Sequence, residues 1–298
     1  MGKASRIKQQ SAREKIAAQR EAARKAERRN RMLITGGSTI VVLVIVLAFV
    51  LVKLSQGSPS TSAGSSTGTL LPASVASQVT GVPAATLDKV GRGAVPAFTQ
   101  GKLPFAPGSG PALTSGGKPE MLYIGAEYCP YCAAMRWSMA VALSRFGTLT
   151  PLHGIHSSST DVNPNTATLT FYKTGYHSPY LSFTPVETTT VSRAPLQNPT
   201  KAQNAIWAKY EPDPNTRGYP FVAFSNKFVM KGPIYDPAVL QGKTWSQIAT
   251  ALKDPTSPIA QSVNGAANYI TGAICQMTNN QPASVCNSPA VTAVKSGL

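Results

Sequence analysis

Met32 to Val52 is a stretch of 21 residues without a charge, reading MLITGGSTIVVLVIVLAFVLV. As a helix it would extend about 31 Å, enough to cross the hydrocarbon core of a bilayer. A cleavable signal peptide is the nearest rival, but its apolar stretch usually runs only about 7–15 residues. Thr61, Ser62 and Ala63 also form a weak cleavage site. The pattern therefore predicts an uncleaved transmembrane helix over 32–53. Beyond it, residues 54–71 are dominated by Ser, Gly, Thr, Pro and Ala and read as a flexible linker.

From residue 72 the pattern becomes that of a folded domain reaching to 298. Two short helical patterns lie between Leu70 and Gly93; the second, Pro83 to Val90, has Gly91 just past its end. Residues 94–118 are rich in Gly and Pro and predict irregular structure with short edge strands. Met121 to Ala126 is a continuous apolar run, as expected of a strand covered on both faces. A helix over Ala133 to Phe146, closed by Gly147, and a strand over Thr148 to Ile155 complete an expected βαβ unit. Thr166 to Tyr172 and Tyr180 to Val186 are β-like. Asn198 is the expected cap of a helix over Pro199 to Tyr210. Phe221 to Phe224 and Lys227 to Met230 predict a hairpin turning at Ser225 and Asn226. Trp245, Ile248, Ala249 and Leu252 mark an amphipathic helix. Ile259, Val263, Ala267, Ile270 and Ile274 mark another near the end.

Charge refines the membrane reading. The 298 residues carry a net +16, but residues 1–32 alone hold eleven Lys or Arg and three Glu, a net +8. Only Lys53 follows the span closely. The positive-inside rule then places the tail, residues 1–31, in the cytoplasm beside anionic lipid, and residues 54–298 outside the cell membrane, as a single-pass protein. An apolar share of 42% excludes wholesale disorder, and 7% aromatic residues argue against a nucleic-acid reader built on stacking. No specific nucleic-acid partner is expected.

Cys129-Pro130-Tyr131-Cys132 lies between the apolar strand and the helix that follows it. This places the first sulfur at a helix N-terminus, where unpaired N–H groups and the helix dipole favour thiolate, the nucleophile of disulfide exchange. Cys129 is therefore the expected nucleophile and Cys132 the resolving thiol. Pro130 suits the first helical turn, and Tyr131 is placed on the exposed rim. A structural disulfide or half of a zinc site are the alternatives; zinc would need Cys275 and Cys286, whose spacing does not form a second CxxC. His153 and His156 lack a third ligand and read as structural or exposed rather than metal-binding. The chemistry calls for no cofactor and no metal.

The run from Met121 to Gly147, the CPYC, and Tyr219-Pro220 ahead of a hairpin and helix resemble the thioredoxin fold. That resemblance implies a cis Pro220 facing the CxxC, with Tyr219 beside it forming the substrate loop. GAEYCPYCAAMRW, ALSRFGTL, STDVNPNTATLTFY and SPYLSFTPVE more closely resemble a family of membrane-anchored thioredoxin-like proteins of actinobacteria and archaea, catalogued as domain of unknown function 929, over about residues 85–290. The fold class expected is α/β: a thioredoxin-like domain with a β-rich insertion at about 157–197 and extra C-terminal helices, preceded by one transmembrane helix. The resemblance brings no substrate with it.

Two departures matter. The insertion separates the second strand from the second helix and offers an extra hairpin or a docking surface. Glu127-Tyr128 stands where thioredoxins often carry Trp, and Glu127 is a candidate proton acceptor for Cys132 or a surface carboxylate. In an extracytoplasmic setting Cys275 and Cys286 are expected to form a structural disulfide, with a second redox pair as the alternative. The expected activity is thiol–disulfide exchange on secreted or membrane proteins, with oxidase or isomerase ahead of reductase and a quinone-linked membrane partner as reoxidant. A non-catalytic binding protein with a structural CPYC bridge, or an electron carrier for one client, are the alternatives.

Overall fold

The computed structural model describes residues 68–295 and 298. The basic tail, the apolar span at 32–53 and the linker up to 67 lie outside the described residues. Among those described, no helix is long and apolar enough to cross a membrane. The described chain is mixed α/β.

In chain order, β1 (Thr69–Leu70), α1 (Ala73–Thr80), α2 (Ala84–Val90), α3 (Val95–Thr99), β2 (Phe105–Pro107) and β3 (Thr114–Ser115) precede the strand β4 (Lys118–Gly125). Helix α4 (Pro130–Ser144), β5 (Thr148–Thr150), β6 (His153–His156), β7 (Ala167–Thr170), β8 (Gly175–His177) and β9 (Ser182–Glu187) follow. Then come α5 (Lys201–Tyr210), β10 (Phe221–Phe224), β11 (Phe228–Lys231), a 3-10 turn at Pro237–Leu240, α6 (Trp245–Ala251), α7 (Pro258–Met277), α8 (Ala283–Cys286) and α9 (Pro289–Lys295).

The main sheet is built around β4, which is buried from Met121 onward. β10 pairs antiparallel with it, Phe224 opposite Met121 and Phe221 opposite Ile124. β11 returns beside β10, and β2 pairs with β11. β9 runs parallel to β4, with Glu187 opposite Gly125. Alternation along these strands sorts the side chains into two faces. Met121, Tyr123, Val222, Phe224 and Met230 share a core with α4 and α7. Leu122, Ile124, Val186, Phe221, Ala223 and Val229 pack with Trp207 of α5. Helix α4 is buried along almost its whole length, as a helix covered on every side should be.

Four sequence readings change. The strand parallel to β4 is β9, not the segment after α4. Thr148 to Ile155 is split at Pro151, which has no N–H to give a ladder; its halves pair elsewhere, β5 with β8 and β6 with β7. The segment expected as an insertion therefore supplies a strand of the main sheet. The linker ends earlier than 71: Thr69 and Leu70 pair with Gly154 and His153, and Leu71 is buried. Helix α5 is capped by Thr200 rather than Asn198, because Thr200 and Gln203 form a reciprocal capping box. The hairpin turn matches its reading: Ser225 and Asn226 have φ of 49° and 56°, and the Lys227 N–H donates to the Phe224 carbonyl at 2.9 Å.

Candidate active site

Strand β4 delivers the chain to Ala126, and three residues later Cys129 caps α4. Pro130 takes the first helical position, where its missing N–H costs nothing. The Cys129 sulfur accepts the Cys132 N–H at 3.3 Å and lies 3.9 Å from the Tyr219 carbonyl oxygen. Both thiols are free; Cys129 is 5% exposed and Cys132 fully buried. The hydrogen bond with the Cys132 side chain holds the Cys129 thiol below its ordinary range, against the opposing effect of burial. Burial pushes the Cys132 thiol well up, and its hydrogen bond and repulsion with Cys129 add to this. The two sulfurs are thus shifted in opposite directions, the less buried one toward thiolate and its fully buried neighbour toward thiol.

Beneath the dithiol lies a charged layer. Arg136 is one turn beyond Cys132 on α4, and its side chain and that of Glu187 are both fully buried. Nε and Nη2 of Arg136 donate to the two carboxylate oxygens of Glu187 at 2.8 Å each, a forked pair, and Nη2 also reaches the Ala126 carbonyl at 2.7 Å. Burial alone would weaken the Arg136 proton; Glu187 holds the guanidinium firmly charged. Glu127 is nearly buried and accepts the Thr170 hydroxyl at 2.7 Å. Desolvation raises its carboxyl from 4.5 to about 7, despite the stabilising Thr170 bond. Glu127 is thus no surface carboxylate, yet its hydrogen bond runs to β7 rather than to a sulfur; the charged side chains acting on Cys132 are Arg136 and Glu187. Gly125 admits one more group: a Cβ there would lie 2.0 Å from the Tyr123 hydroxyl, so only glycine leaves room for that ring beneath the CxxC.

Around the thiol, Tyr131 is exposed, as expected, and the Tyr219–Pro220 peptide is cis. Tyr219 stands edge-on to Tyr128 and packs against Trp207, and the Thr188 hydroxyl lies 2.9 Å from the Tyr219 hydroxyl. The Arg193 guanidinium covers the Tyr128 ring at 3.8 Å, and Asp161 pairs with Arg193 at 2.8 Å. Loops from 157–165 and 188–197 therefore border the dithiol. His153 and His156 lie on β6, where the His156 ring packs at a tilt against Trp245.

Sequence reasoning missed Arg136, Glu187 and Tyr123. Arg136 carried a readable signal, a lone charge in the otherwise apolar AAMRWSMAVAL run that must be buried on all sides. Glu187 carried none, since it ends a strand whose partner was assigned elsewhere. Cys275 and Cys286 are bonded to each other, so their sulfurs are not zinc ligands beside Cys129 and Cys132. Both are fully buried.

Comparison with known proteins gives one match: a family model described as Domain of unknown function (DUF929) fits residues 105–276. No curated protein and no solved structure matches the chain.

Proposed function

The chain belongs to the DUF929 family, and from that premise we propose that its folded part is a thioredoxin-like thiol–disulfide oxidoreductase using Cys129 and Cys132. The carrying observation is the Cys129 sulfur at the N-terminus of α4, holding the Cys132 N–H at 3.3 Å and facing the Tyr219 carbonyl. The succession β4, α4, parallel β9, α5, then the β10–β11 hairpin and α7 supports the thioredoxin-like reading, because it sets the loop before β10 against the dithiol.

In the proposed reaction the Cys129 thiolate attacks a client disulfide. A Cys129–client bond forms and the client's other sulfur leaves as thiolate. Cys132 then passes its proton to the client thiolate released in the first step and attacks the Cys129 sulfur; the client's second sulfur leaves and the Cys129–Cys132 bridge remains. The oxidase direction is the same sequence reversed, with a client thiolate attacking Cys129 and Cys132 leaving. Tyr219 and Pro220 would present backbone to the client strand. The membrane reading belongs to the proposal too: Met32–Val52 anchors the domain outside the cell, the basic tail meets anionic lipid, the clients are secreted or membrane proteins, and a quinone-linked membrane partner reoxidises the pair.

The test is turnover of a small dithiol and a small disulfide substrate by the purified full chain. Cys129→Ser is expected to abolish it, a loss on the order of 1000-fold or more. Equal activity of the two proteins overturns the enzyme reading in favour of a binding protein with a structural CPYC.

A further inference from the structure

In either direction of exchange, Cys132 must exist briefly as a thiolate. It enters as the attacking group when a client is reduced and departs as the leaving group when a client is oxidised. Cys132 is fully buried, so water cannot solvate that charge, and burial holds the thiol strongly protonated. Something in the protein has to receive the anion.

Two buried donors beneath it are unspent. The Tyr123 hydroxyl makes no hydrogen bond, although it is fully buried. Nη1 of Arg136 is the one nitrogen of that guanidinium left without a partner, while Nε and Nη2 are held by Glu187 and Ala126. Unsatisfied buried donors cost about 1–3 kcal/mol each, so two at one place call for an explanation. They lie together by construction. Arg136 follows Cys132 by four residues on α4 and so shares its face. Tyr123 rises from β4 over Gly125, where no Cβ obstructs its hydroxyl. The Tyr123 hydroxyl and the Cys132 sulfur act electrostatically on each other, and Arg136 acts on both.

We propose that the Tyr123 hydroxyl and Nη1 of Arg136 form a preorganised anion hole for the Cys132 thiolate. The inference rests on the exchange reading above. The donors are idle against a neutral thiol and are engaged only when the sulfur is charged, so their interaction is realised at the reacting stage rather than in the resting protein. Glu187 fixes the Arg136 fork so that Nη1 stays directed away from the carboxylate. The charged and titratable groups acting with Cys132 are Cys129, Arg136, Glu187, Tyr123, Tyr128 and Tyr219. Glu127 is held by Thr170 on the neighbouring strand.

The experiment uses oxidised glutathione as the probe with the full reduced chain, wild type and Tyr123→Phe. The substitution removes one oxygen and no packing, and it removes a buried group that has no partner, so the variant is expected to be at least as stable to urea as wild type. Rapid quenching and mass measurement follow the Cys129–glutathione adduct and its conversion to the Cys129–Cys132 bridge between pH 6 and 9. In Tyr123→Phe that conversion is expected to slow by roughly 10-fold, with its pH profile moved upward. The rate at which iodoacetamide alkylates Cys129 should stay within about twofold of wild type. Conversion as fast as wild type, or a loss confined to Cys129 alkylation, overturns the anion hole while leaving the exchange reading intact. A wild-type chain that forms no adduct or never resolves it overturns both.

Discussion

Glu127 was open to two readings, a proton acceptor for Cys132 or a surface carboxylate, and its near-complete burial rules out the second. Its position two before the CxxC suggested a proton acceptor for Cys132, whereas its carboxylate is bonded to Thr170. Its raised value, about 7 against an ordinary 4.5, has a consequence for stability. Between those two pH values the folded protein holds a proton that the unfolded chain has released, so stability falls as pH rises through that window and levels off above it. The loss amounts to about 3 kcal/mol. Glu127→Gln keeps an acceptor for Thr170 and removes the charge. It is expected to match wild type near pH 4 and to exceed it by about 2–3 kcal/mol at pH 8 in urea unfolding. Parallel pH profiles for the two proteins would show that Glu127 does not titrate in this window. The Arg136–Glu187 pair behaves differently at the same scale: it is mutually satisfied, so the cost lies in removing one member and stranding the other.

Among the elements, α7 is the one that most rewards close reading. It crosses the 92–93 turn so tightly that a Cβ at Gly265 would lie 2.8 Å from the Arg92 carbonyl oxygen and 3.1 Å from the Gly93 Cα. Both neighbours are backbone and cannot swing aside. Gly265→Ala gains about 1 kcal/mol of helix propensity, but overpacking at such a contact costs about 1–3 kcal/mol. The second effect should win, and the urea midpoint should fall; an unchanged or higher midpoint would mean that the crossing can relax. The helix itself was legible in sequence, because Ile259, Val263, Ala267, Ile270 and Ile274 repeat at helical spacing; in the structure Ser257 caps its start. Strand β4 and helix α4 were legible for the same reason: an apolar run, then a capping Cys129 and Pro130. The pairing of strands was not. β9 is as β-like as Thr148 to Ile155, and local pattern cannot say which of two such segments returns parallel to β4. Pro151 was the one local clue, since it splits the earlier candidate. Likewise the dithiol could be read from spacing, while the charged layer beneath it depends on Glu187, whose place is fixed only once β9 is assigned.

At the scale of the whole molecule, the segment matched by the family model and the physical unit do not coincide. The family match spans residues 105–276, yet the core around α7 also contains Val75, Val79, Leu87 and Val95 before that segment and Val291 and Val294 after it. Asn268 of α7 donates to the carbonyls of Leu87 and Gly91, tying the end of α2 to the core. The Asp88 carboxylate in turn accepts the Ala290 N–H at 3.0 Å, so the two flanks also hold each other. The disulfide straddles the boundary, with Cys275 inside the segment and Cys286 beyond it. Its short loop contributes about 3 kcal/mol by chain entropy. A chain cut to 105–276 would lose this bridge, expose the apolar side of α7 and leave the Asn268 amide without its acceptors. Together those losses are comparable to a large part of a domain's usual margin of about 5–15 kcal/mol. The 105–276 fragment is therefore expected to unfold at much lower urea than a chain of residues 68–298, or to lack a cooperative transition, with α7 amides exchanging freely with solvent. A fragment with a cooperative transition at the same midpoint would show that the flanking helices are accessory and that the dithiol layer stands on β4, α4 and β9 alone.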